Sequence, residues 1–334
     1  MIRVSLYILL FNMLRELKTI IYSSALLIGV FSLSFFLLNL FYKYIVLNET
    51  VLYRAELQFI EQGLDAKPVF MGDSHSQADI DPALFDDSFN YASSAESYFF
   101  TFHKLNFLLN KSSKLESLVL PIDLHTFSPR WANTVSDYWF WSDYVSYQDL
   151  SEWKEDLSYL NFLFMKNFPL LGNGNLFLEN MLVDSREVVS GHVLDFSLID
   201  FAELDEEGRR DQAKFRVDKH FDHSEIVFNE DLHDYFVKTV DLALDSDIDL
   251  VLLKFPISRE YFDYLNANYI EDIELFEENL LSPIDLERVK ILDYRNVFFE
   301  NPEYFSDPDH LNERGIEVFM SLLKEDLADS VEGL

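Results

Sequence analysis

Residues 19–42, TIIYSSALLIGVFSLSFFLLNLFY, carry no charged side chain. At about 1.5 Å per residue, such a run wound as a helix crosses a hydrocarbon core of roughly 30 Å. A secretory leader fits less well. Its apolar stretch is about 7–15 residues long and ends at a small-residue cleavage site, whereas Tyr42 is followed by KYIVLNET. A buried core helix also fits poorly, because the run is too long and too uniformly apolar for an element that keeps one face in water. Arg3, Arg15 and Lys18 precede it against a single Glu16, and Lys43 leads into acidic sequence. The positive-inside bias therefore leaves residues 1–18 in the cytoplasm, makes 19–43 a transmembrane helix and exports the rest. The apolar VSLYILLFNML just before it reads as a segment lying along the inner interface. The expected location is the inner (cytoplasmic) membrane, single-pass, with the domain on the periplasmic or extracellular side.

The 334 residues suffice for one large domain or two small ones, and 32 Phe and 17 Tyr against few Gly and Pro argue for a folded chain. A formal net charge of −33 excludes nucleic acid as a partner and disfavours an anionic lipid surface. The chain has no cysteine, so disulfides, thiolate nucleophiles and Cys-bound metals are excluded.

Beyond the anchor, strand-like and helix-like stretches alternate. KPVFMGD (67–73), FNYA (89–92), ESLVLPID (116–123), DLVLLKFPI (249–257) and VKILDYRNVFF (289–299) read as strands. ESYFFTFHKLNFLLN (96–110) and NERGIEVFMSLLKEDL (312–327) have helical apolar spacing, the latter with Asn312 as N-cap. Continuous apolar strands separated by helices predict an α/β fold: three α/β/α layers around a mostly parallel sheet, over residues 50–330. Residues 127–245 are too long for one crossover and read as an insertion at the sheet's active edge. It holds an aromatic piece (127–150), a helix at 150–168, a turn at Asn173-Gly174-Asn175 and an acidic segment from about 200 to 234. Trp131, Trp139 and Trp141 cluster in it; they suit either a platform for sugar rings or packing against the sheet.

FMGDSHSQ (70–77) places Ser74 where the first strand ends, the edge at which sites form in such sheets. A serine hydroxyl alone is a poor nucleophile and needs a base. YFSDPDHLNERG (304–315) supplies one just before the last helix: Asp307 and His310 stand three apart in one turn, a spacing that lets the carboxylate fix the imidazole. An ordinary capped turn would explain Gly-Asp-Ser alone. Together the two motifs, at opposite ends of one α/β pattern, favour chemistry.

MGDSHSQ and FSDPDHLNERG resemble the first and last signature blocks of the SGNH (GDSL-like) hydrolase superfamily, over roughly residues 65–125 and 245–330. With its anchor, the chain is similar to the branch that partners membrane-bound O-acyltransferases in polysaccharide O-acetylation and D-alanyl transfer. The resemblance implies Ser74 as nucleophile, His310 as base and Asp307 as orienting acid, with no cofactor and no metal. The Ser74 N–H would be one oxyanion donor, and Asp73 would brace the turn. Two blocks depart from the pattern. FNYASSAES has Ser93, Ser94 and Ala95 where a glycine is expected, leaving Ser94 and Asn90 as weak donor candidates. LPIDLHTF has Asp123 and His125 near the edge where an asparagine is expected. A missing donor costs about 2.7–4 kcal/mol of transition-state stabilisation, so the departure predicts slow ester hydrolysis or a donor from elsewhere.

His75 points away from its neighbour Ser74 and is expected to face substrate or solvent, and Asp309 is expected to be exposed. His220 and His223, with Asp222 and Glu225, could bind zinc but read as solvated surface. Three functions are compatible with these residues. The first is acyl, usually acetyl, transfer through Ser74 to hydroxyl groups of a polysaccharide acceptor, with a membrane-bound O-acyltransferase as partner. The second is a membrane-anchored carbohydrate esterase, and the third a catalytically silent glycan-binding or scaffold protein. The negative charge favours a neutral or weakly acidic glycan unless the cleft is locally basic.

Overall fold

A computed structural model describes residues 2–328, apart from 48–49, 62, 113–114, 134–137, 155–156, 173–187, 190–191, 194–200, 222–227 and 272. The sheet is five-stranded and wholly parallel, in the order β2-β1-β3-β6-β7. Its strands are β1 (Pro68–Phe70), β2 (Phe89–Asn90), β3 (Ser117–Pro121), β6 (Asp249–Lys254) and β7 (Val289–Asp293). Inside the insertion, β4 (Val188–Val189) and β5 (His192–Val193) form a separate antiparallel pair. Each strand of the main sheet lies within its expected stretch and is shorter than it.

The sheet's two faces explain its apolar strands. Val69, Leu118, Leu120, Leu250 and Leu252 pack with Leu105 and Leu108 of the helix Tyr98–Lys111 and with Phe236 and Val240 of the helix Glu230–Asp245. Their neighbours Phe70, Val119, Val251 and Leu253 face the other way, onto Phe319, Met320 and Leu323 of the final helix Glu313–Ala328. Alternate side chains thus bury on opposite faces, which a two-residue period requires.

The N-terminal helix runs unbroken through Ile2–Phe41, so VSLYILLFNML continues the helix that carries the uncharged run. Among the described residues, Phe11–Val46 is the one stretch long and apolar enough to cross a membrane, and its apolar window is unburied. The helix expected at 150–168 is two helices, Tyr147–Trp153 and Tyr159–Asn167. The second restarts on its own cap, the Ser158 hydroxyl accepting from Asn161 N–H. The acidic segment contributes the helix Glu206–His220, whose Ala213 and Val217 are fully buried against Leu124, Ile257 and Tyr261. It is a packed wall beside the sheet's carboxyl edge rather than solvated chain. The turn expected at 173–175 and His223 lie outside the described residues.

Candidate active site

Gly72 makes the first turn possible. Its φ is +123°, and a Cβ there would stand 2.4 Å from the Pro121 ring on β3, so only glycine lets β1 end this close to its neighbour. Asp73 then caps the short helix Ser74–Asp79, its Oδ1 accepting from His75 N–H at 3.1 Å. Ser74 is left at the head of that helix, facing a cleft of about 360 Å³.

The loop before the last helix meets it there. His310 Nε2 lies 3.0 Å from Ser74 Oγ, and His310 Nδ1 lies 3.0 Å from Asp307 Oδ2. Asp307 Oδ1 also accepts the backbone N–H of Asp309 and of His310, which fixes the carboxylate under the ring. With the ring proton on Nδ1 toward Asp307, Nε2 presents a lone pair to the serine hydroxyl. Burial alone would depress the His310 pKa, but the Asp307 and Asp309 charges outweigh it and hold it above the usual histidine value.

Beneath this chain lies a second, buried set of charges. Contrary to expectation, His75 is 1% exposed and Asp309 fully buried. His75 is held from both sides, by Asp123 at 2.8 Å on Nδ1 and Asp309 at 3.1 Å on Nε2. Burial opposes its protonation, yet the two carboxylates raise its pKa well above the ordinary value and so favour the charged ring inside the fold. Asp309 resists the same burial because Arg216 Nε stands 2.6 Å from its Oδ1. That contact is a close ion pair, out of line for a hydrogen bond. Arg216 Nη2 stands 2.9 Å from His310 Nδ1; being only a donor, it competes with Asp307 for that nitrogen and can be accepted there only in the other tautomer. His125 bonds Asp73 at 2.9 Å, and Asp73 is held down at about 2 despite its burial.

The expected site residues therefore divide. Ser74, Asp307 and His310 come together. Asp123 and His125 do not face substrate: Asp123 anchors His75 and the Phe255 N–H, and His125 anchors Asp73. Both positions thus brace the loop that carries Ser74. Asn90 is fully buried, its amide donating to the Ser76 and Ile80 carbonyls, and has no route to an oxyanion. Ser94 borders the cleft, but its N–H and hydroxyl both donate to Gln77 Oε1. Ala95 follows at φ +60°, so the loop keeps the left-handed turn of a glycine without the glycine.

Trp131 lines the cleft, whereas Trp141 is core, stacked on Phe100 at 4.2 Å; the side chain of Trp139 lies outside the described residues. His220, expected at the surface, is 5% exposed, stacks on His125 at 4.3 Å and bonds Tyr261. Burial, with His125 beside it, holds its pKa well below normal, so it is neutral. Arg216 escaped the sequence reading altogether. Its signal was helical spacing: it shares a face with His220, next to the buried Ala213 and Val217. Among the described residues, Asp73, His75 and His125, or His75, Asp309 and His310, stand close enough to ligate a metal. Their ligand atoms already hold one another or the serine. The cleft's cations are Arg130, Arg216 and Lys219, against Asp307 as its one carboxylate among the described lining.

No family model matches this chain, and no curated protein matches it. Among solved structures, it is similar to a protein of Bacteroides fragilis assigned as an acylhydrolase, at 13% identity and a TM-score of 0.39, over 83% of this chain and 97% of the other. A GDSL-like lipase of Bacteroides thetaiotaomicron gives 11% identity and 0.39, over 83% and 98%. A protein of Streptococcus pneumonia assigned as a platelet activating factor gives 12% and 0.38, over 81% and 91%. Likenesses of this size carry no argument about chemistry, which rests on the side chains themselves.

Proposed function

We propose that the chain is an SGNH-type serine acyltransferase: Ser74 takes an acyl group, as acetyl in the first instance, and passes it to a hydroxyl of an exported polysaccharide. The carrying observation is the pair of contacts Ser74 Oγ–His310 Nε2 and His310 Nδ1–Asp307 Oδ2, each 3.0 Å. His310 accepts the serine proton as Oγ attacks the acyl carbonyl. The imidazolium so formed, stabilised by Asp307, returns the proton to the leaving group. The acceptor hydroxyl then repeats the cycle, losing its proton to His310 as it attacks the acyl-enzyme. The proposed donor is a membrane-bound O-acyltransferase, which the apolar N-terminal helix would keep within reach. The acceptor need not be neutral, because the cleft gathers Arg130, Arg216 and Lys219 in an otherwise acidic protein.

Ester hydrolysis is the second reading, since the chemistry is shared up to the acyl-enzyme. Ser74→Ala and His310→Ala should each remove nearly all acyl transfer and nearly all fluorophosphonate labelling, and the double variant should lose little more, because the residues act as a unit. Labelling that persists in Ser74→Ala would end the serine mechanism. Deleting residues 1–45 separates the two readings: transfer to polymer in cells should vanish while turnover of a small activated ester survives. Full polymer acylation by the truncated chain would count against a membrane relay.

A further inference from the structure

We infer that the helices Tyr159–Asn167 and Pro169–Gly172 form a second membrane contact, seated in the bilayer boundary on the domain's side, with lipid as the occupant. The observation is where the apolar N-terminal helix touches them. Asn39 Nδ2 donates to the Asn167 carbonyl at 2.8 Å, and Leu170 N–H reaches Asn39 Oδ1 at 3.4 Å. Phe35 packs on Phe168 at 5.6 Å, and Phe168 on Phe164 at 5.7 Å.

Depth follows from helix rise. Counting from Thr19, the first residue after Lys18, Phe35 lies about 24 Å along the axis and Asn39 about 30 Å. A hydrocarbon core of roughly 30 Å therefore ends at Asn39, and Phe168 reaches about 6 Å inside it, the depth of an interfacial helix. The outward side chains suit that depth: Tyr159, Leu160, Phe164 and Leu171 are 54%, 66%, 51% and 62% exposed. Composition agrees. Residues 157–172 contain no Asp or Glu and one cation, Lys166, in a chain of net charge −33. A strongly acidic domain is repelled by an anionic lipid surface, and this acid-free hairpin is the part that can approach it. Two points of attachment fix the domain's tilt, whereas a single helix leaves it free to swing.

The absence of cysteine makes the test direct. Leu160→Cys, Phe164→Cys and Leu171→Cys are made singly in the full chain, labelled with a nitrobenzoxadiazole dye and placed one chain per nanodisc of phosphatidylcholine and phosphatidylglycerol. Leu286→Cys, at 49% exposure, is the control outside the hairpin, and Ile28→Cys reports the middle of the spanning run. The hairpin labels should be quenched by lipids carrying a nitroxide near the headgroup and be several-fold less sensitive to iodide than Leu286. Iodide sensitivity equal to that of Leu286 overturns the inference while a lipid-quenched Ile28 label leaves the spanning helix intact. Labels shielded from iodide yet untouched by nitroxide lipids also overturn it, since protein and not lipid would then cover the face. An Ile28 label that lipid does not quench overturns both assignments together.

Discussion

Asp79 closes the short helix that Ser74 begins and is fully buried. Its Oδ1 accepts the Leu311 N–H at 3.1 Å, tying that helix to the residue after His310, while Oδ2 is buried without a hydrogen-bond partner. Burial dominates and lifts its pKa from 3.8 to about 7, although His310 and His75 nearby pull the other way. The folded value is raised, so the fold prefers the neutral carboxyl. The group's contribution is most favourable below pH 3.8 and declines as pH rises to about 7. By linkage its contribution has fallen by roughly 2 kcal/mol at pH 5, where only the unfolded chain has ionised, and by roughly 4 kcal/mol at pH 8, where both states have, relative to acid. Asp79→Asn keeps an acceptor for Leu311 and cannot ionise, but it buries an amide donor at a cost of about 1–3 kcal/mol. That cost does not change with pH. The stability of the variant minus that of the parent should therefore rise by about 2–3 kcal/mol between pH 5 and pH 8. Urea unfolding of both chains in detergent at the two pH values, followed by tryptophan fluorescence, measures it. The same difference at both pH values would refute the reasoning.

Ala95→Gly should stabilise by roughly 0.5–1 kcal/mol in the same assay, because the left-handed turn costs an L-residue ~1–2 kcal/mol and glycine's extra chain entropy returns only part of that. Lys104, fully buried, bonds Glu96 at 2.6 Å and the Tyr91 carbonyl at 2.7 Å beneath the Ser93–Ala95 loop. Lys104→Met should cost about 3–5 kcal/mol by stranding that carboxylate, and a loss under about 1 kcal/mol would show Glu96 finding water instead.

What could be read along the chain was whatever depends on neighbours in sequence. The apolar runs of β3 and β6, the Gly-Asp-Ser turn and the Asp307–His310 spacing are local patterns, and the structure brings the last two to one place. The misreadings share a cause. His75, Asp309 and His220 are polar residues in an acid-rich chain, and composition sends such residues to water. Each is buried because a partner arrives from far away: Asp309 meets His75 across 234 residues, and Arg216 reaches both Asp309 and His310 from within the insertion. Burial of a charge is decided by its counter-charge, and pairing at that range leaves no periodicity to find. The stretch LPIDLHTF was misread for the same reason, since Asp123 is committed to His75 and Phe255.

The sheet's wiring also sets a clock. β3 pairs with β6 from Ser117 to Asp249, and closing a loop of that length costs about 4 kcal/mol of chain entropy before any contact repays it. The interval between the reacting groups is longer, with Ser74 and His310 236 residues apart. At about 5–20 residues per second, a growing chain carries Ser74 for roughly 10–50 s before His310 has been synthesised. Through that time the Ser74 hydroxyl has no imidazole beside it, so on the proposed mechanism it is an ordinary alcohol until the last loop has been made.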